Sequence, residues 1–131
     1  MNSLSILVAD DEDSIRSLLE HFLKSAGHDV VVVGSAHDAC AFIRKQSFDL
    51  VITDILMPDG DGLDLINEIK RKQPTSRILA ISGGGRYLEG SDYLKLAKGL
   101  GAHGAMMKPF TFEQLQDAIQ VALGGETESK S

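Results

Sequence analysis

Short apolar runs alternate with segments of helical period along this chain. "LSILVA", from Leu4 to Ala9, reads as a buried strand. The next segment places Ile15, Leu18, Leu19, Phe22, Leu23 and Ala26 on one helical stripe, with Gly27 as the C-terminal cap. "DVVVV" is the second strand. Ser35 opens a second helix, with Asp38 at capping-box spacing. "DLVIT" is the third strand, and Leu63 to Lys72 form a helix closed before Pro74. "RILAIS" is the fourth strand, and the helix after it carries Tyr93, Leu94, Ala97 and Leu100. "GAMMK" is a short fifth strand. Thr111 caps the last helix, with Gln114 at the reciprocal position and Leu115, Ala118, Ile119 and Ala122 facing inward.

A repeated strand–helix order predicts parallel strands joined by right-handed crossovers. The runs "LVIT" and "ILAI" are continuously apolar, as in strands covered on both faces. The pattern therefore predicts a three-layer α/β fold, a doubly wound five-stranded parallel sheet. Residues 1–124 make one domain, and 125–131 a polar, flexible tail.

Composition narrows the function. Lys and Arg number 13 against 19 Asp and Glu, a formal net charge of -6. That balance disfavours direct binding to nucleic acid or an anionic membrane. Cys40 is the single cysteine, so no internal disulfide forms and a reducing cytoplasm suits the chain. No apolar run approaches the length of a membrane helix, and the start lacks the basic region and long apolar core of a signal peptide.

In an open parallel sheet, ligands bind outside the carboxyl ends of the strands. Strand one ends in Asp10 and Asp11, strand three in Asp54, strand four in Ser82, and strand five in Lys108 followed by Pro109. Clustered carboxylates repel one another, and a hard divalent cation such as Mg²⁺ resolves that repulsion. Asp54 is suited to attack phosphorus and form an acyl phosphate. Lys108 and the Ser82 hydroxyl are suited to stabilise charge on the phosphoryl oxygens. Each feature has a plainer reading by itself. Asp11 to Asp13 also suit a helix N-terminus, and "MPDGDG" also suits a turn. Joint placement at four strand ends carries the argument.

"VADDE", "VITDILMPDGDG", "ISGG" and "MMKPF" resemble the signatures of response-regulator receiver domains of two-component signalling, over Leu4 to about Leu123. The resemblance implies a flavodoxin-like sheet of strand order 2-1-3-4-5. It implies Asp54 as phosphoacceptor and Mg²⁺ held by Asp10, Asp11, Asp54 and the backbone carbonyl of Leu56. Ser82 would be the switch hydroxyl, and Lys108 the lysine preceding a cis bond to Pro109. The donor would be a histidine kinase or a histidine phosphotransfer protein. The output would be binding to a separate downstream protein, by a monomer or a phosphorylation-dependent dimer.

The sequence departs from this family at Ala105, where an aromatic residue usually reports phosphorylation; Tyr87 or Tyr93 are candidate substitutes. Three glycines after Ser82 predict a loop that orders on phosphorylation. Other readings remain open: an aspartyl phosphatase, a receiver-fold interaction module with weak or lost switching, a hybrid-kinase fragment, or a flavin binder. Leu56 stands where a phosphatase usually has its acid/base aspartate, and acidic strand ends repel a flavin phosphate. His21, His28, His37 and His103 are expected to be solvated or packed, Cys40 a buried thiol, and Met106 and Met107 packing on opposite faces.

Overall fold

The computed structural model describes residues 3–54, 62–82, 95 and 98–124, with the side chains of 62 and 63 excepted. Among them, strands β1 (Ser5–Ala9), β2 (Asp29–Val33), β3 (Leu50–Asp54), β4 (Arg77–Ser82) and β5 (Gly104–Met107) form one sheet. Helices α1 (Asp13–Ser25), α2 (Ala36–Lys45), α3 (Gly62–Lys72) and α4 (Phe112–Ala122) cover it. The sheet order is β2-β1-β3-β4-β5, and every pairing is parallel. Lys95, Lys98 and Gly99 are helical, whereas Tyr93, Leu94 and Ala97 lie outside the described residues.

The apolar runs are buried because alternate side chains feed two separate cores. Leu7, Val51, Ile78 and Ala80 face Ala39 and Ile43 of α2 and Leu65, Ile66 and Ile69 of α3. Ile6, Val8, Leu50, Ile52, Leu79 and Ile81 face Leu19 and Leu23 of α1 and Leu115 and Ala122 of α4. Each fully buried Leu or Ile contributes about 2 kcal/mol over its exposed state. Met106 joins the second core and Met107 packs against the first, on opposite faces as expected.

The caps match the sequence signals. Gly27 adopts φ 93°, and its N–H donates to Lys24 O while that of His28 donates to Leu23 O, closing α1 in a Schellman motif. Ser35 Oγ accepts from Asp38 N–H, and Thr111 and Gln114 form the full reciprocal box. The α1 stripe is narrower than predicted. Leu19 and Leu23 are buried, but Leu18 is 37% exposed and Ala26 is an exposed cap residue. Leu18 sits at the margin of the stripe.

Side chains hold the amino-terminal rim of the sheet. His28 Nδ1 accepts from Leu4 N–H at 3.0 Å, Asp49 Oδ2 from Ser5 N–H at 2.8 Å, and His103 Nδ1 from Ile78 N–H at 2.9 Å. The Gln73 carboxamide accepts from Phe48 N–H and donates to the carbonyls of Ile43 and Gln46, tying the end of α2 to the α3–β4 connection. Two of the four histidines are therefore backbone acceptors, a role their spacing did not signal.

His103 carries a pH dependence. Burial, then the nearby Arg77 and Lys70 charges, lower its pKa from the usual value. The unfolded chain then takes up the proton first as pH falls below about 6.5. Stability linked to neutral His103 is in full above that value and is lost as pH drops through the lower folded value. The advantage of the native chain over His103→Asn in urea midpoint is expected to shrink between pH 7.5 and 5.5. A constant difference across that range would remove the assignment.

Candidate functional site

Register brings the chemistry to the carboxyl edge of the sheet. Ala9 lies opposite Val33 and Thr53, Asp54 opposite Ile81, and Ser82 opposite Met107. Asp10 follows β1, and its N–H donates to Val33 O at 3.2 Å. Its Oδ1 accepts from Glu12 N–H at 2.9 Å, which turns the carboxylate back over the chain. Arg16 Nη1 donates to Asp10 O at 2.7 Å and pins the same turn. Asp54 ends β3 and is 3% exposed; its carbonyl accepts from Thr53 Oγ1. Ser82 ends β4, and its carbonyl accepts from Lys108 N–H at 2.8 Å. That bond delivers Lys108 from the edge strand to the carboxylates. The Lys108–Pro109 peptide is cis.

Lys108 Nζ lies 2.9 Å from Asp10 Oδ2, 2.5 Å from Glu12 Oε1 and 3.1 Å from Asp54 Oδ2. Burial alone would lower its pKa, but the close carboxylates of Glu12, Asp10 and Asp54 more than reverse this, so the pKa is raised. Lys108 is therefore a fixed cation at any physiological pH.

The cluster remains electron-rich. Carboxylate oxygens of Asp10, Asp11 and Asp54 lie within 4.8 Å of one another. Asp10 is fully buried, and although Oδ2 is near Lys108 it receives no well-directed hydrogen bond among the described residues. A buried carboxylate oxygen with spare acceptor capacity, beside two more carboxylates, fits a hard divalent cation taking oxygen ligands. The donor set contains no thiolate or imidazole, so it suits Mg²⁺ better than zinc.

The structure thus brings together Asp10, Asp11, Asp54 and Lys108, with Ser82 on the adjoining strand end. Leu56, Gly83 to Gly85, Tyr87 and Tyr93 lie outside the described residues. Ala105 packs, partly buried, against the α2–α3 core. Cys40 is half-buried rather than fully buried, and burial raises its pKa, with Glu68 and Asp64 adding to the shift against Arg44. Sequence reasoning missed Glu12, which reads as an acid at a helix start. The signal available was its place directly after the Asp10–Asp11 pair.

A parallel 2-1-3-4-5 sheet with carboxylates and a lysine at its carboxyl edge defines a class: doubly wound α/β domains with an acidic site at the strand ends. Residues 6–120 match the response regulator receiver domain. The chain belongs to the response regulator receiver family of two-component systems. It is 36% identical over 127 residues to the DNA-binding transcriptional regulator NtrC of Azospirillum brasilense, covering 97% of this chain and 26% of that protein. It superposes on the chemotaxis response regulator CheY4 of Vibrio cholerae with a TM-score of 0.81 and 27% identity, covering 91% of this chain and 98% of that one. NtrX of Brucella abortus gives a TM-score of 0.83 and 33% identity over 94% of this chain and 27% of that one. The chain spans about a quarter of the length of the first curated relatives it matches. Among the described residues, no helix is long and apolar enough to cross a membrane.

Proposed function

We propose that the protein accepts a phosphoryl group on Asp54 from a phosphohistidine of a partner kinase or phosphotransfer protein in the cytoplasm, and thereby switches its binding to a downstream protein. The observation that carries this reading is Lys108 Nζ poised 3.1 Å from Asp54 Oδ2, beside the acidic cluster. An Asp54 carboxylate oxygen attacks phosphorus, the P–N bond breaks, and the leaving imidazole nitrogen keeps the electron pair and takes a proton from water. Asp10, Asp11 and Asp54, with the Leu56 carbonyl that the family resemblance adds, would hold Mg²⁺, which would supply positive charge to the transferring group. Lys108 and the Ser82 hydroxyl stabilise the phosphoryl oxygens. The buried end of β3 fixes the nucleophile, so little orientational freedom remains to be lost on reaction.

Ala105 favours a second reading, a receiver-fold interaction module with weak switching, because a methyl group has no rotamer with which to report phosphorylation. Intact mass after incubation with acetyl phosphate decides between them. One phosphoryl adduct that forms with Mg²⁺ and does not form when a chelator is present from the start is the expected result. A folded, Mg²⁺-replete sample that stays unmodified with acetyl phosphate and with phosphohistidine donors favours the module.

A further inference from the structure

We propose that Glu12 is a positioning residue that occupies one N–H of Lys108 until a phosphoryl oxygen displaces it. The inference rests on Asp54 being the phosphoryl acceptor. An ammonium has three N–H donors and no acceptor. Carboxylates of Glu12, Asp10 and Asp54 lie 2.5, 2.9 and 3.1 Å from Lys108 Nζ. Glu12 and Asp54 accept directed hydrogen bonds from this ammonium and Asp10 lies beside it without one, so an incoming phosphoryl oxygen competes with the carboxylates around Lys108 and displaces the one held least firmly.

The three differ in how easily they can leave. Asp10 is fully buried, and its other oxygen is held by Glu12 N–H. Asp54 is fixed at the end of a central strand and carries the phosphoryl group itself. The Glu12 side chain is 54% exposed, so its carboxylate can turn into water at little cost.

A second observation sets Glu12 apart. It occupies the N-cap position of α1, yet its side chain makes no capping hydrogen bond. It reaches Lys108 instead, 96 residues along the chain. The exchange replaces one N–H···O–C contact with one N–H···O–P contact, and no proton moves. Glu12 thus aims the ammonium into the cleft and competes with the incoming oxygen. Glu12→Gln keeps the size of the side chain and weakens the competitor.

The test uses beryllofluoride, an unreactive phosphoryl mimic, with Mg²⁺ on the full chain. The Cδ resonance of Glu12, identified by its absence from Glu12→Gln, is expected to move toward that of a solvated glutamate when beryllofluoride is added, and not with Mg²⁺ alone. Glu12→Gln is expected to bind beryllofluoride about two- to fivefold more tightly, the range of an exposed ion pair. A resonance that stays in place, or a variant that binds no more tightly, overturns the proposal for Glu12 while leaving Asp54 as acceptor. Binding of beryllofluoride by Asp54→Asn as strong as by the native chain overturns both. The resonance measurement needs only the native protein, so it stands even if the variant folds poorly.

Discussion

Asp54→Asn is expected to keep its mass unchanged under acetyl phosphate and Mg²⁺, while the native chain is expected to gain one phosphoryl group. The carboxamide oxygen is neutral and a poor nucleophile, and loss of a nucleophile lowers rates on the order of a thousandfold or more. The same change is expected to leave the urea midpoint unchanged or raised. Asp10, Glu12 and Asp54 crowd around Lys108, with Asp11 beside Asp10 and Asp54, and one fewer carboxylate relieves repulsion among them. Function and stability would then move in opposite directions at one position. An adduct on Asp54→Asn would place the acceptor elsewhere; a marked loss of stability would show that the Asp54–Lys108 contact outweighs the repulsion.

Lys108→Met has the largest expected structural cost. The Lys108 side chain is 8% exposed and faces the buried carboxylates of Asp10 and Asp54. Removing one member of a buried charge cluster leaves the others uncompensated, at about 2–4 kcal/mol. Urea unfolding without metal measures this directly. Mg²⁺ is expected to restore most of the loss, because a cation that binds only the folded state stabilises it by mass action. Phosphorylation is still expected to fall about a hundred- to a thousandfold if, as proposed, Lys108 stabilises the transferring oxygens. Unchanged stability without metal would mean that the cluster balances its charge by another route.

Much of this architecture is legible in the residues, for local reasons. "LVIT" and "ILAI" are apolar without alternation, and both faces of β3 and β4 are indeed covered. Thr111 with Gln114 announces a helix start by chemistry confined to four residues, and the box is present. Asp10, Asp54 and Lys108 were identifiable because parallel strands place their carboxyl ends on one edge. Contacts set by side-chain reach across elements were not legible. Glu12 looks like an ordinary N-terminal acid until Lys108 is placed beside it. Glu68 reads as a solvated helix residue, yet it is buried and bonded to Arg44 and Arg71. His28 and His103 have no spacing that reveals a backbone amide one strand away.

The Gln73 tie bears on how two copies of this chain can exchange segments. Domain swapping requires a connection that opens into a hinge and lets one element pack on a neighbour. The turn between α2 and β3 and the turn between α3 and β4 are bound to each other by the Gln73 carboxamide through Ile43, Gln46 and Phe48. Opening either one abandons three hydrogen bonds and strands the terminal carbonyls of α2. Exchange at these two connections is therefore disfavoured.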